Sequence, residues 1–128
     1  MPVFQEQNTT NIRIGIYACS VELLKSNWLK GVGPGSLQVA LNNCYSLYPT
    51  DVYKDKDFNT HNEFLNSWLS LGIAGFLLFT GAFLIPLRNA WNEKQELYVI
   101  FLLLFFGCCL TENLLSRQMG IVFYALFN

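Results

Sequence analysis

Charge is scarce in this sequence. Lys, Arg, Asp and Glu together make up 13% of its 128 residues, about half the share in an ordinary soluble domain, so the chain is not built as a charged shell around a small core. Basic runs are missing too, and the formal net charge is −1, which excludes nucleic acid as a partner because phosphate binding needs clustered Lys and Arg. The four cysteines and the single histidine show no Cys-x-x-Cys pair and no zinc-ligand spacing. The glycine-rich stretch Gly31-Val32-Gly33-Pro34-Gly35 lacks the Gly-Lys-Ser/Thr that a phosphate loop requires. Asp51, Asp55 and Asp57 lack the central Gly and closing Glu of a calcium loop and read as a solvated loop. The first eleven residues are polar, without the basic and apolar parts of a signal peptide.

Apolar residues fill the second half instead. No charge occurs from residue 68 to 87, and at helical rise that stretch spans about 30 Å, a bilayer core. Residues 97–110 are a shorter apolar run, about 21 Å. Glu112 and Arg117 then interrupt it before a last apolar stretch, 119–127. Cys108 and Cys109 sit in the apolar run and read as core or lipid-facing residues. Cys19 and Cys44 form a disulfide only if their segment lies outside the cytoplasm, and the spacing alone favours no framework.

The chain begins with a polar leader, 1–10, then a helix capped by Thr9, Thr10 or Asn11 and running to about Lys30. Ile12, Ile16, Cys19 and Leu23 share one face of it. The glycine turn stops it, since three glycines and a proline do not continue a helix cheaply. A second short helix is predicted over 36–47, capped by Ser36, and a polar loop over 49–60. Thr60 and Glu63 match a capping box, which puts His61 in the first turn of the long apolar helix, at the water interface. Ser70, Ala74 and Gly81 lie on one face of that helix, small enough for another helix to approach. The fold class is therefore all-α and membrane-embedded: short amphipathic helices in an extracytoplasmic region, 1–62, followed by a membrane region, 63–128. That region holds two hydrophobic segments, about 63–88 and 96–127, the second broken near Asn113. Arg88 and Lys94 fall in the link between the segments and place it in the cytoplasm by the positive-inside rule. Sending residues 1–62 to the far side without a signal calls for further spans upstream.

In this order the motifs resemble the O-antigen ligase and polymerase superfamily of bacterial membrane glycosyltransferases. The matching residues are Arg13 opening an amphipathic helix, the Gly31-Val32-Gly33-Pro34-Gly35 turn, His61-Asn62, and Gly72-Ile73-Ala74-Gly75 in the helix that follows. Thr111-Glu112-Asn113 through Arg117 looks similar to a later Glu-containing element. The resemblance runs over about residues 12–127. It implies a many-spanning protein of the bacterial inner membrane, with residues 1–62 in a periplasmic loop. It implies transfer or polymerisation of a glycan carried on undecaprenyl diphosphate, with no nucleotide sugar, no cofactor and no catalytic metal. The acceptor would be a glycan, a lipid A-core or a protein. This chain would be the C-terminal portion, with missing upstream helices holding the lipid-linked donor.

On that resemblance His61 is the general base that takes a proton from the acceptor hydroxyl. A histidine's ordinary pKa of about 6.5 suits the task at neutral pH. Arg13 binds the donor diphosphate, because a guanidinium stays charged and grips phosphate oxygens in pairs. Asn62, Glu112 and Arg117 are substrate-binding candidates. Asn62 either orients His61 or caps the helix. Glu112 and Arg117 are ionisable groups within an apolar stretch, where such groups face a partner or cavity. Asn113 and Arg117 have helical spacing, which Glu112 and Arg117 do not. A non-enzymatic reading stands beside this one: a two-span membrane assembly partner packing through Ser70, Ala74 and Gly81, or an inactive remnant. A small transporter or channel component fits less well, since two spans leave little room for a pore.

Overall fold

The computed structural model describes residues 9–54 and 56–127; the leader at 1–8 and Asp55 of the acidic loop lie outside them. Five helices and no strand occur among the described residues: α1 (Thr9–Asn27), α2 (Leu37–Tyr45), α3 (Glu63–Asn92), α4 (Glu96–Thr111) and α5 (Gln118–Phe127). α3 alone among them is long and apolar enough to cross a membrane.

α1 and α2 pack together on the apolar face read from the sequence. Ile16 and Cys19 from α1 are buried with Leu37, Leu41 and Tyr45 from α2, and Leu69 from α3 closes the cluster. A disulfide joins Cys19 to Cys44 across the two helices, which corrects the expectation that the cysteines carry no framework. The loop after α2 folds back as an aromatic cover. Tyr53 stacks on Tyr45 at 5.0 Å and meets Phe58 edge-on at 5.7 Å. Its hydroxyl donates to Ile12 O at 3.2 Å, lying over Gly15, where any side chain would overlap it. Asp51 pairs with Lys54 and Asp57 accepts from Asn42 at 2.7 Å, so both are loop fasteners.

The glycine turn does more than end α1. α3 is kinked at Gly72, whose φ is 71°. In an unbroken helix the Leu69 carbonyl would accept from Ile73 N–H. Here Leu69 O accepts from Val32 N–H at 2.7 Å, Ser70 O accepts from Gly33 N–H at 3.0 Å, and Ile73 N–H donates to Leu29 O at 3.3 Å. The turn thus supplies the backbone partners that the kink removes, as buried peptide groups require. Close approach on both sides demands glycine: Gly31 also has φ 71°, and a Cβ on Gly72 would overlap the Leu29 carbonyl. This docking also ends α1 at Asn27 rather than near Lys30, because residues 29–33 must leave the helix to reach α3.

α3 runs to Asn92, so Arg88 lies in its last turns and not in the link, where Lys94 sits with φ 56°. α4 returns antiparallel, and its ring-rich face joins that of α3. Phe64, Phe83, Phe105 and Cys109 are buried, with Phe79, Phe106 and Tyr124 packed around them. Pro86 sits inside α3 and has no N–H for the carbonyl of Ala82; the Tyr124 hydroxyl of α5 donates to that carbonyl at 3.4 Å. The break after α4 spans residues 112–117, which lie between helices. Asn113 and Arg117 are therefore not on a shared helix face. The small-residue stripe is not covered by another helix among the described residues. Ser70 is buried, while Ala74 is exposed and Gly81 has open space around it.

Candidate active site

Three segments far apart in sequence meet where α3 begins. α1 brings Arg13, the bend before α3 brings His61, and the extended residue after α4 is Glu112. One carboxylate joins all three: Glu112 Oε1 accepts from Arg13 Nη2 at 2.8 Å, and Oε2 lies 3.1 Å from His61 Nδ1. Cations are slightly disfavoured at a helix N-terminus, and Glu112 supplies the compensation for Arg13. The side chains of His61, Arg13 and Glu112 are 24%, 39% and 37% exposed, so the cluster is anchored yet open to a ligand.

His61 is not in the first turn of α3. It precedes the helix with φ 47°, in the left-handed region that non-glycine residues seldom adopt. Its neighbours hold it there. His61 N–H donates to Asn59 Oδ1 at 3.0 Å, and the Tyr17 hydroxyl donates to His61 O at 3.3 Å. Backbone strain of this kind costs roughly 1–3 kcal/mol and gathers at functional positions.

The residues around His61 explain how it is presented. Asn62, not Thr60, is the N-cap: its Oδ1 accepts from Leu65 N–H at 2.9 Å, and its Nδ2 donates to Leu110 O at 3.1 Å. Both ends of this carboxamide are committed to joining the start of α3 to the end of α4. The Thr60–Glu63 capping box does not form because both partners have other work. Thr60 is fully buried; its hydroxyl donates to Asn62 O at 2.9 Å and accepts from Asn113 Nδ2 at 3.2 Å. Glu63, also buried, accepts from Leu115 N–H at 3.0 Å. So Thr60 and Glu63 fasten the 112–117 break, to which Glu112 belongs, to the head of α3 beside His61.

Arg117 stands apart. It is exposed, and its backbone carbonyl accepts from Gly120 and Ile121 N–H at the start of α5. The structure brings Arg13, His61 and Glu112 into contact, with Asn62 adjacent, and leaves Arg117 outside the cluster. Reading the sequence missed Tyr17, seen only as a residue beside the apolar face, and the gripping role of Thr60 and Asn113. An acidic residue at the head of an apolar helix was the available signal for Glu63.

A carboxylate against Nδ1 is an arrangement that can hold an imidazole with Nδ1–H donating, which leaves Nε2 as the acceptor a general base needs. Arg13 places a permanent positive charge beside it. The cluster sets a titratable ring and a guanidinium side by side on one carboxylate.

No curated protein and no solved structure matches the chain. A family model described as O-antigen ligase matches residues 2–80. The match takes in Arg13, the glycine turn, His61-Asn62 and the Gly72 kink, and stops before Glu112 and Arg117. Spanning more than half of the chain and the whole unit built by α1, α2 and the head of α3, it places this protein in the O-antigen ligase family.

Proposed function

We propose that this chain carries the acceptor-activating part of a glycan ligase or polymerase. The donor is a glycan on undecaprenyl diphosphate and the acceptor is a hydroxyl of a glycan, lipid A-core or protein. His61 Nε2 takes the hydroxyl proton as the acceptor oxygen attacks the anomeric carbon. The bond from that carbon to the diphosphate oxygen breaks, its electron pair leaves with the undecaprenyl diphosphate, and configuration inverts. Arg13 offsets the charge that grows on the departing diphosphate. The observation that carries this reading is the single Glu112 carboxylate held between the His61 ring and the Arg13 guanidinium.

The family and the apolar helix together support membrane residence. We place residues 63–128 in the bacterial inner membrane and residues 1–62 in the periplasm. A disulfide between Cys19 and Cys44 suits an oxidising compartment, and Arg88 and Lys94 at the other end of α3 suit the cytoplasmic side. Leu77, Leu78, Leu103, Leu104 and Leu126 remain exposed, a surface fit for lipid and for further spans. On this reading the chain is the C-terminal portion of the enzyme, and upstream helices hold the lipid of the donor.

An Ala substitution at His61 in the intact enzyme is expected to abolish glycan transfer at unchanged membrane level. Transfer at the normal rate by that variant would sink the assignment and bring forward a non-enzymatic assembly role, which crosslinking to a stable membrane partner would then detect.

A further inference from the structure

Glu112 has one negative charge and two claimants. Its Oε1 receives Arg13 at 2.8 Å while its Oε2 faces the His61 ring at 3.1 Å. Two other titratable groups nearby are engaged elsewhere. Tyr17, also from α1, is bound to the His61 carbonyl, and Glu63 is turned to the backbone of Leu115. The charged group in contact with the ring is thus Glu112, and Arg13 holds the other oxygen of that carboxylate. While the guanidinium sits on the carboxylate, its positive charge cancels much of what the carboxylate does for the ring.

We propose that Glu112 is a positioning residue shared between Arg13 and His61. An incoming donor diphosphate draws Arg13 off the carboxylate and leaves Glu112 wholly to the imidazole. This rests on the reading of Arg13 and His61 given above. A diphosphate carries more charge than one carboxylate and more oxygens for the guanidinium fork, and the half-exposed Arg13 is within its reach. Once Arg13 has moved, the uncompensated carboxylate favours the protonated ring, as an opposite charge at this distance does. The base therefore becomes strong after the donor has bound. An acceptor hydroxyl that arrives first meets a weaker base, which makes donor-first binding the productive order.

The single histidine of the chain makes the idea directly measurable. The full chain, labelled with 15N-histidine in detergent, has one pair of ring nitrogens to follow. Unliganded, Nδ1 is expected to carry the proton and Nε2 to be bare; the opposite tautomer overturns the proposal. Inorganic pyrophosphate is the probe. It should raise the ring's titration midpoint more in the wild type than in Glu112→Gln, because only its own charge acts in the variant. Equal rises in the two proteins overturn the proposal. Arg13→Ala should start with a higher midpoint than the wild type and respond little to pyrophosphate; a midpoint at or below the wild-type value also overturns it. Circular dichroism on the same samples checks the helices, and if Glu112→Gln loses them the Arg13→Ala comparison decides alone. These readouts need no glycan transfer. A His61 that is essential for transfer but insensitive in this titration would remove the gating and leave the base.

Discussion

Gly31 and Gly72 meet backbone to backbone, each with φ 71°. A Cβ built on Gly31 would come within 2.6 Å of Gly72 N and 2.7 Å of Leu69 O. The turn after α1 and the kink in α3 are therefore one joint, fastened by three backbone hydrogen bonds that neither segment makes alone.

Alanine at either glycine should open that joint. The left-handed backbone alone costs roughly 1–3 kcal/mol, and overlap with main chain adds to it. Gly33→Ala carries a positive φ of 89° but has open space around it, and Gly35→Ala also meets nothing. Thermal unfolding in detergent should rank Gly72→Ala and Gly31→Ala as most damaging, Gly33→Ala as milder and Gly35→Ala as near neutral. A flat series would mean that the joint does not contribute to stability.

Position 61 should separate folding from chemistry. His61→Gly relieves the strained φ that His61→Ala retains, so it should be more stable than the Ala variant by about 1 kcal/mol. Both should lose transfer in the intact enzyme. Paired unfolding and transfer assays test this; an Ala variant as stable as Gly would show that the strain is not there.

Pro86 and Tyr124 should be coupled. Tyr124→Phe removes the donor to Ala82 O and should cost up to about 1 kcal/mol. Pro86→Ala returns a backbone N–H to that carbonyl, so the same Tyr124→Phe change should become nearly silent. A double-mutant cycle reads the coupling directly, and additive effects would refute it.

Reduction should loosen the α1–α2 unit. The bond closes a sequence separation of 25, for which loss of the cross-link is worth about 3 kcal/mol. Cys108 and Cys109 are free thiols. Alkylation under denaturing conditions should therefore label two cysteines without reductant and four with it, and four in both cases would exclude the bond.

Alkali should attack the same unit. Burial pushes the phenols of Tyr45, Tyr48 and Tyr53 upward, Tyr45 most strongly, and neighbouring phenols add to the effect on Tyr45 and Tyr53. A raised folded-state pKa means the fold favours the neutral phenol. Its stabilisation is complete below about pH 10, the unfolded value, and is lost as pH rises above it. Ultraviolet titration should show late phenolate formation together with helix loss, and Tyr45→Phe should make the helix loss less steep. Early, independent ionisation of these tyrosines would contradict their burial.

Much of the framework was legible in the residues. Uninterrupted apolar runs set α3, α4 and α5, and the polar interruption at 112–117 marked the break, because charge within an apolar helix is costly. Ile16 and Cys19 announced the buried face of α1 by spacing. The contacts that make the site were not legible in that way. Arg13 and Glu112 are 99 positions apart, and His61 and Glu112 are 51 apart, so no local pattern joins them. Thr60 and Glu63 satisfied a local capping rule and were drawn off by tertiary partners, leaving Asn62 as the cap. The glycines of the turn read as a helix stop, which they are; that their N–H groups repair a kink in another helix depends on which backbones meet. Cys19 and Cys44 became a pair once α1 and α2 brought their Cα atoms to 5.8 Å.

The Cys19–Cys44 bond also has a mechanical meaning. It closes a covalent ring whose far side is the turn that docks on Gly72. Tension applied to the chain ahead of Cys19 passes through the sulfur atoms to Cys44 and skips the residues between. A pull on α1 is thus shunted past the glycine joint, and the turn that seats the head of α3 stays unloaded.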